Sequence, residues 1–150
     1  MLNPYIVLYF IKNNRYYLKF SNLDMLFLQL SLHTDASVFN QSKWIAAIQE
    51  AYPNVEIMEA DNYSEVYLYQ QILKWLIQSA EPLVLHIHSM NSEASMGNML
   101  RFLQDVLQKK PPVWVTLQGQ HTGIEKYVRA FSDYKMVETE EEAVNLLNSK

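Results

Sequence analysis

Short apolar runs alternate with helical patterns from residue 26 onward, and this alternation predicts five βα units in succession. The predicted strands are Met25–Leu32, Val55–Glu59, Leu83–His88, Val113–Leu117 and Tyr134–Glu138. Between them, apolar residues recur at spacings of three and four, which is typical of helices that pack on a sheet. We therefore expect an α/β fold: a three-layer, doubly wound, mostly parallel five-stranded sheet with strand order 2-1-3-4-5.

The first residues follow a different pattern. Two apolar segments, Tyr5–Lys12 and Arg15–Phe20, flank Asn13 and Asn14, and Asn tolerates the positive φ of a tight turn. This predicts an N-terminal β-hairpin that extends the sheet or covers one of its edges. At 150 residues the chain is expected to be one domain, with the hairpin in residues 1–22 and the βα units in 25–150.

Three predicted helices begin with a capping-box pattern, in which a side-chain acceptor is followed three residues later by a carboxylate. The pairs are Asn62 with Glu65, Thr122 with Glu125, and Thr139 with Glu142. We expect these pairs to mark the first turns of their helices.

Composition excludes several function classes. A net charge of −4 without a Lys/Arg cluster argues against nucleic-acid binding. The absence of cysteine excludes thiol catalysis and Cys-ligated zinc, and three glycines are too few for a Walker or dinucleotide loop. The apolar run Tyr5–Ile11 is too short to span a membrane and lacks a basic leader, so we expect a cytoplasmic protein without membrane attachment.

The four histidines fall near the ends of predicted strands. His33 follows the first strand, His86 and His88 lie toward the end of the third, and His121 follows the fourth. In the order 2-1-3-4-5 these strands are adjacent, and ligands bind beyond their carboxyl ends at the topological switch point. The ligand-binding candidates at this rim are His33, Asp35, Glu59, Asp61, His86, His88, Ser95 and His121.

A divalent metal is one occupant that this rim allows, although the sequence requires no cofactor. The His-x-His pair His86 and His88 directs both imidazoles to one face of a strand, and imidazole with carboxylate suits Zn, Fe or Mn. The alternative is structural, with His86 hydrogen-bonded in the core and His33 and His121 in exposed loops. No nucleophile–base–orienter triad is legible, so no catalytic residue is assigned.

Several segments and the βα array around them resemble the receiver domain of bacterial response regulators over residues 26–149. The similar segments are Val55–Asp61 (VEIMEAD), Pro82–His88 (PLVLHIH), Pro112–Leu117 (PVWVTL) and Asp133–Val137 (DYKMV). The resemblance implies a flavodoxin-like fold and a signalling role.

The phosphorylation residues of that family do not carry over. Where a receiver has an acidic pair after its first strand, Leu30–Asp35 has the sequence LSLHTD, and the phosphoacceptor position is occupied by residues 86–88 (HIH). Thr116 lies near the family's Thr/Ser position, and Lys135 is displaced from the position of its Lys. The resemblance therefore implies a receiver-like domain without aspartyl-phosphate chemistry.

The loop Ala94–Gly97 (ASMG) carries a second resemblance, to the STAS domains of anti-sigma-factor antagonists. In that family the corresponding element is Asp-Ser-Ser-Gly, and its first Ser is phosphorylated. Ser95 and Gly97 match that element, whereas its Asp and second Ser are missing. This resemblance implies a phospho-switch at Ser95, and the alternative role of Ser95 is to cap the following helix.

Aromatic residues are numerous, with ten tyrosines and three tryptophans. Tyr63, Tyr67, Trp75 and Phe102 lie partly off the main apolar faces of their predicted helices. Such residues are enriched at protein interfaces, and the alternative is a wide helix face buried in the domain.

The leading expectation is a non-enzymatic, receiver-like regulatory or protein-interaction module that binds a protein partner or forms a homodimer. A small metal- or ligand-dependent enzyme at the histidine rim, or a STAS-like phospho-switch, are the alternatives.

Overall fold

The computed structural model describes residues 9–12, 15–18, 25–34, 48–50, 52–138 and 142. The strands are β1 (Tyr9–Lys12), β2 (Arg15–Leu18), β3 (Met25–Leu32), β4 (Val55–Asp61), β5 (Leu83–Ser89), β6 (Trp114–Gln118) and β7 (Lys135–Val137). The helices are α1 (Val66–Gln78), α2 (Met99–Lys109) and α3 (Thr122–Phe131). Residues 48–50 are also helical.

The main sheet has the order β4-β3-β5-β6-β7, and every neighbouring pair is parallel. This confirms the predicted order 2-1-3-4-5 and the α/β fold. The bounds of β3 match the prediction, whereas β4 and β5 continue to Asp61 and Ser89, beyond their predicted ends.

Strands β1 and β2 pair antiparallel, with Tyr9 opposite Leu18 and Lys12 opposite Arg15. This pairing agrees with the predicted hairpin, and the proposed turn at Asn13 and Asn14 lies outside the described residues. Among the described residues, β1 and β2 form a two-stranded sheet of their own.

Face A of the main sheet, the side covered by α1, α2 and α3, carries the larger apolar core. Side chains alternate along a strand, so β3 places Leu26, Leu28, Leu30 and Leu32 on this one face. They pack against buried helix residues that include Tyr69, Ile72, Leu103, Val106 and Val128. At about 1.5–3 kcal/mol for each fully buried large side chain, this cluster is a main source of the sheet's stability.

Face B, the opposite side of the sheet, has a smaller apolar cluster. It contains Phe27, Ile48, Val84 and Val137. Because Ile48 comes from the helical residues 48–50 and is fully buried, helical chain covers this face as well. Two covered faces give the three layers predicted from the sequence.

Two of the capping predictions are wrong. Helix α1 begins at Val66 with Glu65 as its N-cap, and no side chain caps it. At α3, the ring of His121 rather than Thr122 accepts the hydrogen bond of the N-cap. For the third pair, Thr139 lies outside the described residues.

Phe102 also differs from expectation. It is buried and stacks on Tyr69, with ring centroids 4.8 Å apart, and so belongs to the core between α1 and α2. Within the described residues, no helix combines the length and the apolar character needed to cross a bilayer.

Candidate ligand-binding site

The carboxyl-terminal half of face B is polar across four neighbouring strands. In one row, Gln29 of β3 lies between Glu59 and His86, and His86 is followed by Thr116. In the next row, Ser31 lies between Asp61 and His88, and His88 is followed by Gln118. We call these eight residues the polar plate.

The polar plate departs from the pattern expected of a covered parallel sheet. Strands buried on both faces are normally apolar on both, because burying a polar group without a partner costs free energy. On face A the same strands carry Leu, Ile and Val. On face B the plate has Gln, Ser, His and Thr instead. The plate also lies at the carboxyl ends of β3 and β5, where the strand order reverses, and this is where ligands bind in such folds.

His86 is the central residue of the plate and is fully buried. Its Nε2–H donates to Gln118 Oε1 at 3.1 Å, since an amide oxygen can only accept, and the Thr116 hydroxyl donates to Nδ1 at 2.7 Å. Burial lowers the pKa of His86 to about 3, although the hydrogen bond to Gln118 partly opposes this shift. The ring is therefore neutral at physiological pH, in one fixed tautomer.

The bond from His86 also fixes Gln118. The side-chain oxygen of Gln118 accepts from the ring, so its two amide N–H donors are available to another acceptor; among the described residues they have no hydrogen-bond partner. Gln118 is partly exposed, whereas His86 and Thr116 are buried. The buried pair thus positions a half-exposed donor group at the rim.

His33 and Asp61 form a hydrogen-bonded pair at the other side of the plate. His33 Nε2 lies 3.0 Å from Asp61 Oδ2. The second carboxylate oxygen accepts from the Tyr63 N–H at 2.8 Å and from the Ser64 hydroxyl at 3.2 Å. Asp61 is therefore held by three groups and orients the imidazole of His33.

Asn62 joins three loops at the carboxyl edge. Its Oδ1 accepts from the backbone N–H of His33 at 3.1 Å, and its Nδ2 donates to the carbonyl of His33 at 2.9 Å. Nδ2 also donates to the carbonyl of Ser95 at 2.7 Å. The buried amide thus connects the segments that follow β3, β4 and β5, and fixes His33 beside Asp61.

Glu59 differs from Asp61 in having no such support. It is half-buried, and burial raises the pKa of its carboxyl. Among the described residues, no hydrogen bond or ion pair holds its side chain. Gln29 lies opposite it on β3.

The structure brings five of the eight predicted candidates onto or beside the plate: His33, Glu59, Asp61, His86 and His88. His121 lies elsewhere, near face A, where Nε2–H donates to the Ala94 carbonyl at 2.8 Å and Nδ1 accepts from the Ile124 N–H at 3.3 Å. Ser95 is exposed in the loop before α2, and it is not the N-cap of that helix, which is Asn98. Asp35 lies outside the described residues.

Sequence reasoning missed Gln29, Ser31 and the role of Asn62. A signal for the first two was present, because they alternate with leucines in Met25–Leu32 and so interrupt an otherwise apolar strand. The role of Asn62 had no comparable signal, since its three bonds join segments about 30 residues apart in the chain.

Metal-ligand geometry is not seen in the part of the chain that the structure describes: no three His, Asp or Glu side chains converge there. The rings of His86 and His88 lie 6.4 Å apart between centroids, and both nitrogens of His86 are engaged by protein groups.

Comparison of the chain with protein-family models, with curated proteins and with solved structures gives no match.

Proposed function

We propose that this chain is a non-enzymatic regulatory domain that binds a small polar ligand reversibly at the polar plate. The observation that carries the proposal is the set of eight polar side chains on one half of face B, at the switch point of the sheet. The same strands are apolar on face A, so the polar character is confined to this half of face B.

The chemistry of the plate favours binding over catalysis. The pKa of His86, lowered to about 3 by burial, makes its ring a poor proton acceptor near neutral pH. The Asp61 carboxylate is hydrogen-bonded to His33 and to the Ser64 hydroxyl, so it serves to orient the imidazole of His33. The resemblance to receiver domains supports a regulatory role, with HIH at residues 86–88 in place of the phosphoacceptor.

Thermal unfolding in the presence of three classes of small molecule tests the proposal: neutral sugars, hydroxylated amines, and carboxylates or phosphates. We expect one class to raise the melting temperature with saturable concentration dependence. Ligand at 100 times its Kd adds about 2.7 kcal/mol to the free energy of unfolding. Gln118→Met, which removes the rim donors, should abolish the shift, whereas Gln78→Met on the exposed end of α1 should preserve it.

Failure has two forms in this experiment. If no class stabilises the protein, or if the stabilisation persists in Gln118→Met, the polar plate is not a ligand site. Circular dichroism of the two variants before titration establishes that each retains the fold.

A second candidate function is self-association through α1. Tyr67 is 68% exposed, and Val66 and Ile77 are exposed on the same face of α1; Tyr63, just before the helix, is 49% exposed. Among the described residues that share this face of α1, Lys74 is the only charged one, so two copies could pack this face without opposed carboxylates. We expect a dimer in sedimentation equilibrium that Tyr67→Lys converts to monomer. A wild-type protein that is monomeric at about 100 μM would exclude self-association through α1.

A further inference from the structure

The acidic residues of the polar plate lie on one side of it. Glu59 and Asp61 lie at one side, on β4, and the residues of the plate include no lysine or arginine. Lys135 of β7 continues the first row beyond Thr116, but it is exposed at the far edge of the sheet. No lysine or arginine of the plate therefore offsets the charge of an anionic ligand, and two carboxylates disfavour it.

The two carboxylates are not equivalent. Asp61 has three hydrogen-bond donors around it, including His33 and the Ser64 hydroxyl. Glu59 is partly desolvated and has none among the described residues. A half-buried carboxylate gains most from a ligand cation, which supplies the charge-assisted hydrogen bonds that the protein does not.

The rest of the plate suits hydroxyl groups. Ser31 is partly exposed and offers a group that both donates and accepts, and Gln118 offers two amide donors held in place by His86. Glu59 and Gln118 lie three strand spacings and two residues apart, or roughly 16 Å between their backbones. Ser31 lies on a strand between them, next to Asp61 and His88.

We infer that the ligand is a hydroxylated organic cation, whose protonated amine binds Glu59 and whose hydroxyl groups bind Ser31 and Gln118. This inference rests on the proposed function and gives the ligand a chemical class. It separates the roles of the two ends of the plate: Glu59 selects the charge, and Gln118 contributes to binding of any polar ligand.

A matched series of probes tests the charge selection: D-glucosamine, D-glucose and D-gluconate, which are hydroxylated to a similar extent and are cationic, neutral and anionic. We expect D-glucosamine to bind at least tenfold more tightly than the other two in titrations followed by amide chemical shifts. Glu59→Gln should reduce that affinity to the level of D-glucose. Asp105→Asn on α2, which removes a carboxylate of the same formal charge outside the plate, should leave it unchanged.

Several outcomes overturn the inference. These are equal or tighter binding of D-glucose or D-gluconate, no binding of any probe, and an unchanged D-glucosamine affinity in Glu59→Gln. Binding of D-gluconate that is lost in Gln118→Met would refute the ligand class while supporting the proposed function. The thermal-unfolding panel tests the proposed function separately, because it includes compounds outside this series.

Discussion

Replacing His86 with Gln should change how the stability of this protein depends on pH. His86 is fully buried, and its pKa is lowered from 6.5 to about 3, chiefly because burial disfavours the imidazolium form. Gln occupies a similar volume and keeps a donor and an acceptor for Thr116 and Gln118, but it does not titrate. The variant therefore isolates the protonation of one buried ring.

The expected magnitude follows from the two pKa values. Above pH 6.5 the ring is neutral in both the folded and the unfolded protein, so its titration does not affect stability. Between pH 6.5 and about 3 the unfolded chain binds a proton that the folded protein excludes, and stability falls as the pH falls. At about 1.4 kcal/mol per pH unit, the loss at pH 5 is about 2 kcal/mol.

Urea unfolding at pH 7.5 and pH 5.0, followed by the fluorescence of the three tryptophans, measures this term. The free energy of unfolding of wild type, minus that of His86→Gln, should be smaller at pH 5.0 by about 2 kcal/mol. Thr116→Val is the control: it removes a hydrogen bond to the ring but retains the ring, so it should follow the pH dependence of wild type. A difference between wild type and His86→Gln that is equal at the two pH values would refute the reasoning.

Substitutions at three further positions test local features of the structure by the same urea assay. Gly119→Ala should destabilise the fold by about 2 kcal/mol or more, since φ is +78° and a Cβ would lie 2.0 Å from the Ser89 carbonyl oxygen; a neutral result would contradict that backbone geometry. Asn62→Ala should cost about 2–3 kcal/mol, because it removes three hydrogen bonds, of which the two to His33 are buried; a loss below about 0.5 kcal/mol would show that the three loops are held otherwise. His121→Ala should cost about 1–2 kcal/mol through loss of the α3 N-cap, and His121→Asn should restore part of it; equal losses in both variants would argue against the cap.

The strand order and the core could be predicted because they depend on short-range patterns. The leucines at alternate positions of β3 fix which face is apolar, and each predicted helix provides one apolar side. These features need no knowledge of distant segments. Phe102 was misassigned because the extent of a helix's buried face depends on its neighbour, here Tyr69 of α1.

The capping predictions failed for a related physical reason. A side chain such as Asn62 has several partners available, and the sequence pattern weighs only the local one. In the folded chain Asn62 bonds to the backbone of two distant loops. At α3, the imidazole of His121 satisfies both Ile124 N–H and the buried carbonyl of Ala94, which a hydroxyl at Thr122 does not.

The candidate site was only partly predictable. The histidines identified the correct edge of the sheet, but the plate depends on register, which places Gln29 beside Glu59 and His86, and Ser31 beside Asp61 and His88. Register is a property of strand pairing, so a single strand's sequence does not contain it.

The bonds of Asn62 also determine how this edge of the sheet can open. The backbone N–H of His33 donates to the Asn62 side chain, and the backbone N–H of Asn62 donates to the Ser31 carbonyl. Both amide protons are therefore protected by the same junction. The loop that carries Ser95 is bonded to the same side chain. In native-state deuterium exchange, the amides of His33 and Asn62 should therefore exchange through one shared opening event with a common free energy, so that this edge of the domain behaves as a single cooperative unit.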